Sequence, residues 1–336
     1  MNISFYFRKQ SPVFHSIEEQ FFAMQENLPK YVVFKNQFAK YHSKGFFKRM
    51  FICFEAISKQ GKINHITGDI HFVSYFLKKK KTILTIHDIG SILKGNSIKI
   101  AVLKFFWFSL PAKRVSYITV ISEFTKMQLL ENVRINPEKI VVIPDCVSSE
   151  INFSKKEFNS EKPLILQIGT KSNKNLPVLF KAIKGMNCRL LIVGKLSNEQ
   201  ILMLENYKID YENKCNLNFS EIVELYKKCD IVSFISTYEG FGVPILEAQA
   251  TGRVVITSNL SPMKEVAGEN ALLVNPYNFE EIREALESII LNQDKRNQLI
   301  EAGLENVKKY SAKIVAEKYY KLYCKILNKI FYANNT

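Results

Sequence analysis

Two carboxylates, Glu239 and Glu247, stand eight residues apart in STYEGFGVPILEAQATGRVVITSN. What lies between them matters more than the spacing. Gly240 and Gly242 let a ligand approach the main chain, and Pro244 suits the start of a helix because its missing N–H would be unpaired there. Thr251-Gly252 stops that helix before the β-rich Val254-Val255-Ile256. Free N–H groups at such a helix start suit anions and hydroxyl groups. The reading places Glu247 in the first turn and Glu239 in the loop before it.

Glu239-Gly240-Phe241-Gly242-x-Pro244-x-x-Glu247-Ala248 resembles the Glu-x7-Glu signature of family 4 retaining glycosyltransferases, within the glycosyl transferases group 1. Glu265-Val266-Ala267-Gly268 and Leu273-Val274-Asn275-Pro276 follow in the family's order. The similarity is strongest from about Pro163 to Tyr310. It implies an α/β chain of GT-B fold, two doubly wound Rossmann-like domains facing across a cleft. It also implies Glu247 at the ribose of a nucleotide, and Glu239, with the N–H groups of Phe241 and Gly242, at the hydroxyls of a donor sugar. Glu239 is thereby a catalytic candidate, and Phe241, Gly242 and Glu247 are donor-binding ones.

The run Leu166-Gln167-Ile168-Gly169-Thr170-Lys171-Ser172-Asn173-Lys174 ends a strand on a glycine and puts a lysine before the next helix, a place to meet a diphosphate. By resemblance, Gly169 and Lys174 hold the donor's phosphates. Thr170 stands where the family carries an arginine, and Lys171 offers only a point charge in its place. Gly194, in Val193-Gly194-Lys195, lets a nucleobase lie against the chain. In the first half, Thr82–Ile86 runs into His87-Asp88, which resembles the family's histidine beside the donor sugar. His87 is a catalytic candidate, able to donate to a sugar hydroxyl or the departing phosphate; Asp88 orients it or touches acceptor.

Asn64-His65-Ile66-Thr67-Gly68-Asp69-Ile70-His71 reads as a polar loop at the mouth of the cleft, with Asp69 a candidate acceptor contact. His65, Asp69 and His71 invite a metal, but one strand cannot easily aim all three at one ion. No metal site is expected, and no Asp-x-Asp is present. No cofactor is expected either: a UDP- or GDP-linked sugar enters as substrate. The partners are that donor, a glycan or lipid-linked acceptor, and an anionic membrane surface; nucleic acid is not among them.

Elements that place these residues alternate short β-branched runs with helical periods, the pattern of parallel sheets with crossovers. Strands are expected at Ile3–Phe7, Tyr31–Phe34, Thr82–Ile86, Ile118–Ile121 and Ile140–Ile143, then at Leu164–Ile168, Leu190–Val193, Ile231–Phe234 and Val254–Thr257. Residues 1–150 form an acceptor-side domain, 151–162 a polar linker, 163–310 the nucleotide-sugar domain. Residues 311–336 form a last helix that, by resemblance, crosses back to the first domain. Its Val315, Tyr319, Leu322 and Ile326 share one face. Ile282, Ala285, Leu286, Ile289 and Ile290, after an Asn278/Glu281 cap, form another stripe, and Ile222, Leu225, Tyr226 and Cys229 a shorter one. Ser122 reads as an N-cap.

The chain has 336 residues, 47% of them hydrophobic, enough for two ordinary domains, and no uninterrupted apolar run reaches the roughly 18 residues of a membrane span. Its N-terminus, broken by Arg8, Lys9 and Pro12, lacks a signal-peptide core. Six scattered cysteines without a CxxC pair read as reduced thiols in the cytoplasm. A net charge of +15 calls for an anionic partner. Lys44–Phe54 and Leu103–Phe108 mix cations with large aromatics, as a helix at a membrane interface does, or as core helices with solvated lysines do.

The activity expected is transfer of a sugar to an acceptor hydroxyl with retained configuration, in surface polysaccharide or lipid-linked glycan assembly, on the inner face of the cell membrane. A glycosidase would need both carboxylates flanking one bond at ~5–9.5 Å. A non-catalytic basic binder of membrane or nucleic acid, on a degenerate transferase fold, is the alternative from another class.

Overall fold

The computed structural model describes residues 1–10, 16–93, 95 and 97–335. The chain divides into two compact units. One comprises Met1–Cys146 with Ala312–Thr336, and the other Val147–Ser311.

The first unit holds a six-stranded parallel sheet of β1 (Asn2–Phe7), β2 (Val33–Phe38), β3 (Ile63–Ile66), β4 (Thr82–Ile86), β5 (Tyr117–Val120) and β6 (Ile140–Val142), in the order β2-β1-β3-β4-β5-β6. The order reverses between β1 and β3, and ligands in open parallel sheets bind beyond the carboxyl ends of strands at such a switch. Two expectations change here. The strand placed at Tyr31–Phe34 runs instead from Val33 to Phe38, paired in parallel with β1. Its polar centre, Lys35-Asn36-Gln37, is tolerated because β2 is an edge strand, and Asn36 exchanges two side-chain amide bonds with Gln25.

The larger correction concerns residues 64–71. Ile63–Ile66 is a fully buried central strand rather than a loop at a cleft mouth. His65 is 0% exposed; its Nδ1 meets Tyr323 Oη and its Nε2 meets Thr85 Oγ1, each at 2.8 Å. His71 is also buried, its Nδ1 2.7 Å from the Trp107 carbonyl. Only Thr67 to Ile70 remain as the connection.

The last helix, Ala312–Asn335, belongs to the first unit. Val315, Tyr319, Leu322, Tyr323 and Ile326 are buried with Phe5, Phe7, Phe21 and Ile83 in one apolar cluster. Ser122 caps the helix Glu123–Asn132 by accepting from Thr125 N–H.

The second unit is built on β7 (Leu164–Ile168), β8 (Arg189–Val193), β9 (Tyr211–Lys214), β10 (Ile231–Phe234), β11 (Val254–Ser258) and β12 (Leu272–Val274). All pairings are parallel, in the order β12-β11-β10-β7-β8-β9. That is the doubly wound dinucleotide-fold order, with its switch between β7 and β10. β9 and β12 escape the sequence reading because both are edges. Tyr211-Glu212-Asn213-Lys214 is polar, and β12 has three residues. Ile282, Leu286 and Ile289 of the helix Phe279–Leu291 are buried against this sheet's core. Residues 148–162 form neither strand nor helix and lie within this unit: Ser154 N–H donates to Thr251 O, and Lys156 pairs with buried Asp230.

Candidate functional site

The sequence candidates of the second unit gather at its switch point, on the loops that leave β7, β8 and β10. Gly169 follows β7 with φ 90°, a left-handed value that favours glycine, and its N–H donates to Val193 O. A Cβ there would lie 2.9 Å from Lys174 Cε. The chain then makes a single turn, Ser172–Lys174, passes through Asn175 at φ 59° and enters the helix Leu176–Ile183. Asn175 is buried because its Nδ2 serves two carbonyls, Ile235 O and Pro276 O.

The loop after β10 is fastened to this turn. Thr237 N–H donates to Asn173 O at 2.8 Å, and Asn173 Nδ2 donates to Tyr238 O at 2.9 Å and to Glu239 Oε1 at 3.1 Å. Lys174 Nζ donates to the same Glu239 Oε1 at 2.7 Å and stands 4.3 Å from the centre of the Phe234 ring. Both side chains are about one-sixth exposed, at 16% and 17%. The geometry thus brings together the lysine and the first glutamate, and adds Asn173 as their positioning residue.

Gly242, at φ 125°, precedes the helix Val243–Thr251, and Pro244 lies in its first turn as expected. Glu247 falls just past that first turn, a small correction, since the helix begins at Val243 rather than Pro244. Its Oε2 accepts from Tyr226 Oη at 2.6 Å. Burial pushes the Glu247 carboxyl up to about 7, although the Tyr226 hydroxyl and the Lys174 charge both pull it down. Tyr226 is a second residue that sequence reasoning missed, since its place in an apolar stripe suggested core only. Phe241 buries its ring edge-on against Tyr310, leaving the main chain as what it offers a ligand. Among the described residues no hydrogen bond engages the N–H of Phe241 or of Gly242.

Gly194 follows β8 at φ 129°, and a Cβ on it would meet the Thr170 side chain at 3.1 Å. Thr170, at the position where an arginine was expected, donates from Oγ1 to Lys195 O, and its carbonyl accepts from Gln200 Nε2. It ties the β7 loop to the β8 loop. Lys171 is exposed at the head of the Ser172–Lys174 turn.

A separate polar group occupies the switch point of the first unit. Arg8, just beyond β1, makes a two-pronged pair with buried Glu18, Nε–Oε1 2.9 Å and Nη2–Oε2 3.1 Å, and reaches Asp69 Oδ2 at 2.6 Å. Asp69 sits at φ 53° on the connection after β3. His87 follows β4, its Nε2 2.7 Å from Thr67 O. Gly68 permits this approach, for a Cβ there would come within 2.8 Å of the His87 ring. Asp88 turns instead to its own backbone, Oδ1 accepting from Gly90 N–H at 2.8 Å. Arg8 was read only as a charge that breaks the N-terminal apolar run and Glu18 went unremarked, because a single arginine and glutamate ten residues apart carry no pairing signal. Among the described residues no group of three or more His, Cys, Asp or Glu is placed to hold a metal ion.

Likeness to known proteins supports a glycosyltransferase. Residues 148–306, nearly the whole second unit, match the family described as Glycosyl transferases group 1. An uncharacterized glycosyltransferase of Methanocaldococcus jannaschii is 28% identical over 248 residues, 71% of this chain and 68% of that protein. The O-antigen chain mannosyltransferase RfbU of Salmonella typhimurium is 28% identical over 216 residues, 61% of this chain and only 60% of its own length. Among solved structures, Anabaena HepE in complex with UDP and glucose superimposes with a TM-score of 0.77 at 12% identity, covering 96% of this chain and 99% of that one. At that identity the likeness speaks for the fold, which is GT-B: two doubly wound, parallel-sheet units.

Proposed function

We propose that this chain moves a sugar from a nucleoside diphosphate to an acceptor hydroxyl, retaining the anomeric configuration, in the assembly of a surface polysaccharide or lipid-linked glycan. The observation that carries this reading is the meeting of Lys174 with Glu239 at the switch point of a dinucleotide-type sheet, where loops after β7 and β10 are laced together. Lys174 would meet the diphosphate, and Glu239 the hydroxyls of the transferred sugar. Phe241 and Gly242 supply main-chain donors beside Glu239. Glu247 accepts from the ribose hydroxyls, a task for which a carboxylate has two oxygens.

Departure of the nucleotide leaves negative charge on its phosphate, and a fixed cation aimed there lowers the barrier. The leaving phosphate takes the acceptor's proton on the same face of the sugar, so no protein nucleophile is needed. His87 is the first unit's candidate for turnover; its place after β4 at a sheet's carboxyl end supports that reading. The glycan class rests on likeness to an O-antigen mannosyltransferase, and the donor class on likeness to a protein bound to UDP and glucose. The test is incubation of the full chain with UDP-, GDP- and ADP-linked sugars and a lipid-linked acceptor extract, measuring released nucleotide. Release from one donor class that Glu239→Ala abolishes supports the reading; no release and no thermal stabilisation by any nucleoside diphosphate overturns it.

A further inference from the structure

The helix Phe46–Ser58 packs one face inward through Ile52, Cys53 and Ala56. Phe47, Phe51 and Phe54, spaced i, i+4 and i+7, therefore share the opposite face. They are 85%, 61% and 59% exposed, and neighbouring Phe46 is 70% exposed. A large aromatic in water forgoes ~1.5–3 kcal/mol of burial, so four on one short helix need a covering partner.

The second aromatic stretch joins the same surface. Arg49 lies 4.7 Å from the centre of the Trp107 ring, and Phe54 packs on Phe76, next to Tyr75, whose hydroxyl donates to Phe106 O. Beyond that joint, Ile98, Val102, Phe105 and Phe106 are again exposed. The charge around these aromatics is mainly positive, and Glu55, next to Phe54 on the same helix, is paired with Lys59 and Lys40. No Asp or Glu occurs from Asn27 to Phe54 or from Ile89 to Ser122, whereas Lys44, Lys48, Arg49, Lys99 and Lys104 fall within those stretches. Among the described residues no ion pair engages Lys44, Lys48, Lys99 or Lys104. No helix among the described residues is long and apolar enough to cross a membrane.

We infer that this face of the first unit is the seat of an anionic lipid bilayer: Phe46, Phe47, Phe51 and Phe54 enter the headgroup–acyl boundary while Lys44, Lys48 and Lys104 meet lipid phosphates. Aromatics flanked by lysines suit that boundary, since each ring gains an apolar surrounding and each ammonium an anionic one. A protein partner of opposite charge, or a second copy, would also cover the rings. A second copy would bring like charge against like, which the composition disfavours.

The experiment is co-flotation of the full chain with vesicles of phosphatidylcholine alone and of phosphatidylcholine with phosphatidylglycerol. The expected result is binding to the anionic vesicles only, weakened by salt as headgroup charges are screened. The double variant Lys44→Glu/Lys48→Glu should lower partitioning on the order of tenfold or more, at roughly 1 kcal/mol for each basic residue near the surface. Phe47→Ser/Phe51→Ser should lower it similarly with at most a small shift in the thermal melt, as both rings are mostly exposed and touch only Phe46 and Tyr41 among the described aromatics. Equal binding to neutral vesicles, or none to either, overturns the inference. So does a concentration-dependent dimer in sedimentation that Phe47→Ser/Phe51→Ser dissolves, which would show that the face belongs to another copy. None of these outcomes depends on sugar transfer.

Discussion

Lys174 Nζ and Glu239 Oε1 lie 2.7 Å apart on loops that leave two adjacent parallel strands, and each side chain is mostly withdrawn from solvent. The pair neutralises at close range the two groups assigned to donor phosphate and donor sugar. On the proposed function, a diphosphate would compete with Glu239 for the ammonium, and the carboxylate so released would be left beside the sugar. Asn173 donates to the same carboxylate oxygen and would hold Glu239 in place during that exchange.

This competition gives the two substitutions opposite signs in binding. Lys174→Ala removes the cation and leaves Glu239 facing the phosphates, so affinity for UDP or GDP alone should fall. Glu239→Ala removes the competitor, so nucleotide affinity should hold or rise while turnover drops on the order of 10²-fold or more, the scale of a lost transition-state contact. Calorimetric titration with the free nucleotide, set beside kcat, separates them. Loss of nucleotide affinity in both variants would mean that Glu239 serves to position Lys174, and the sugar-contact role would go.

Glu247 supplies a pH signature. Its carboxyl is pushed up to about 7 by burial, against an ordinary 4.5, so it is largely protonated in the folded chain at mildly acidic pH. As an acceptor for two ribose hydroxyls it should bind best when ionised, and nucleotide affinity should rise as pH passes upward through about 7. Tyr226 lowers this carboxyl by donating to it, so Tyr226→Phe should carry the midpoint to higher pH. Glu247→Gln should remove the enzyme's part of the profile and leave only the titration of the nucleotide's own phosphate. A profile identical in all three proteins would place Glu247 outside the nucleotide contact.

Gly169 tests the phosphate loop by backbone alone. At φ 90° an alanine is strained by about 1–3 kcal/mol, and its Cβ would press on the Lys174 side chain at 2.9 Å. Gly169→Ala should lower the melting temperature and also raise KM for the donor by shifting Lys174. Gly185, equally left-handed at φ 76° with nothing near its Cβ, is the control: Gly185→Ala should cost stability without touching KM.

How far the sequence carries depends on whether a residue's partners are near it in the chain. Lys174, Glu239 and Glu247 were legible because glycines and a proline beside them fix loop and helix start locally. β4, β7, β10 and most of β11 were legible as short runs rich in β-branched and apolar residues. Tyr226 was not, because its hydroxyl's partner lies on another helix, twenty-one residues on. His65 was misplaced for the same reason: Asn64 and His65 look like loop residues until Tyr323, far along the chain, supplies a partner. Thr170 shows a third case, where the departure from an expected arginine was visible but its role in tying two loops was not.

His65 also predicts how the first unit responds to acid. Burial, reinforced by the neighbouring His87, lowers its imidazole to about 3 from an ordinary 6.5. The unfolded chain therefore binds a proton here that the folded chain refuses between those two values, and stability falls as pH drops through that window. Above about 6.5 both states are neutral and the residue contributes no slope. The two ring bonds, to Tyr323 on the last helix and Thr85 on β4, mean that protonation must break an acceptor contact at one end. His65→Gln keeps a polar group without the titration, so chemical denaturation from pH 7 to pH 4 should show a shallower loss of stability for the variant than for the native chain. The same slope in both would assign the acid response to other groups. Tyr323→Phe should destabilise at every pH, by about 0.5–1.5 kcal/mol for the lost hydrogen bond plus the cost of an orphaned ring nitrogen, because its effect is on pairing rather than on charge.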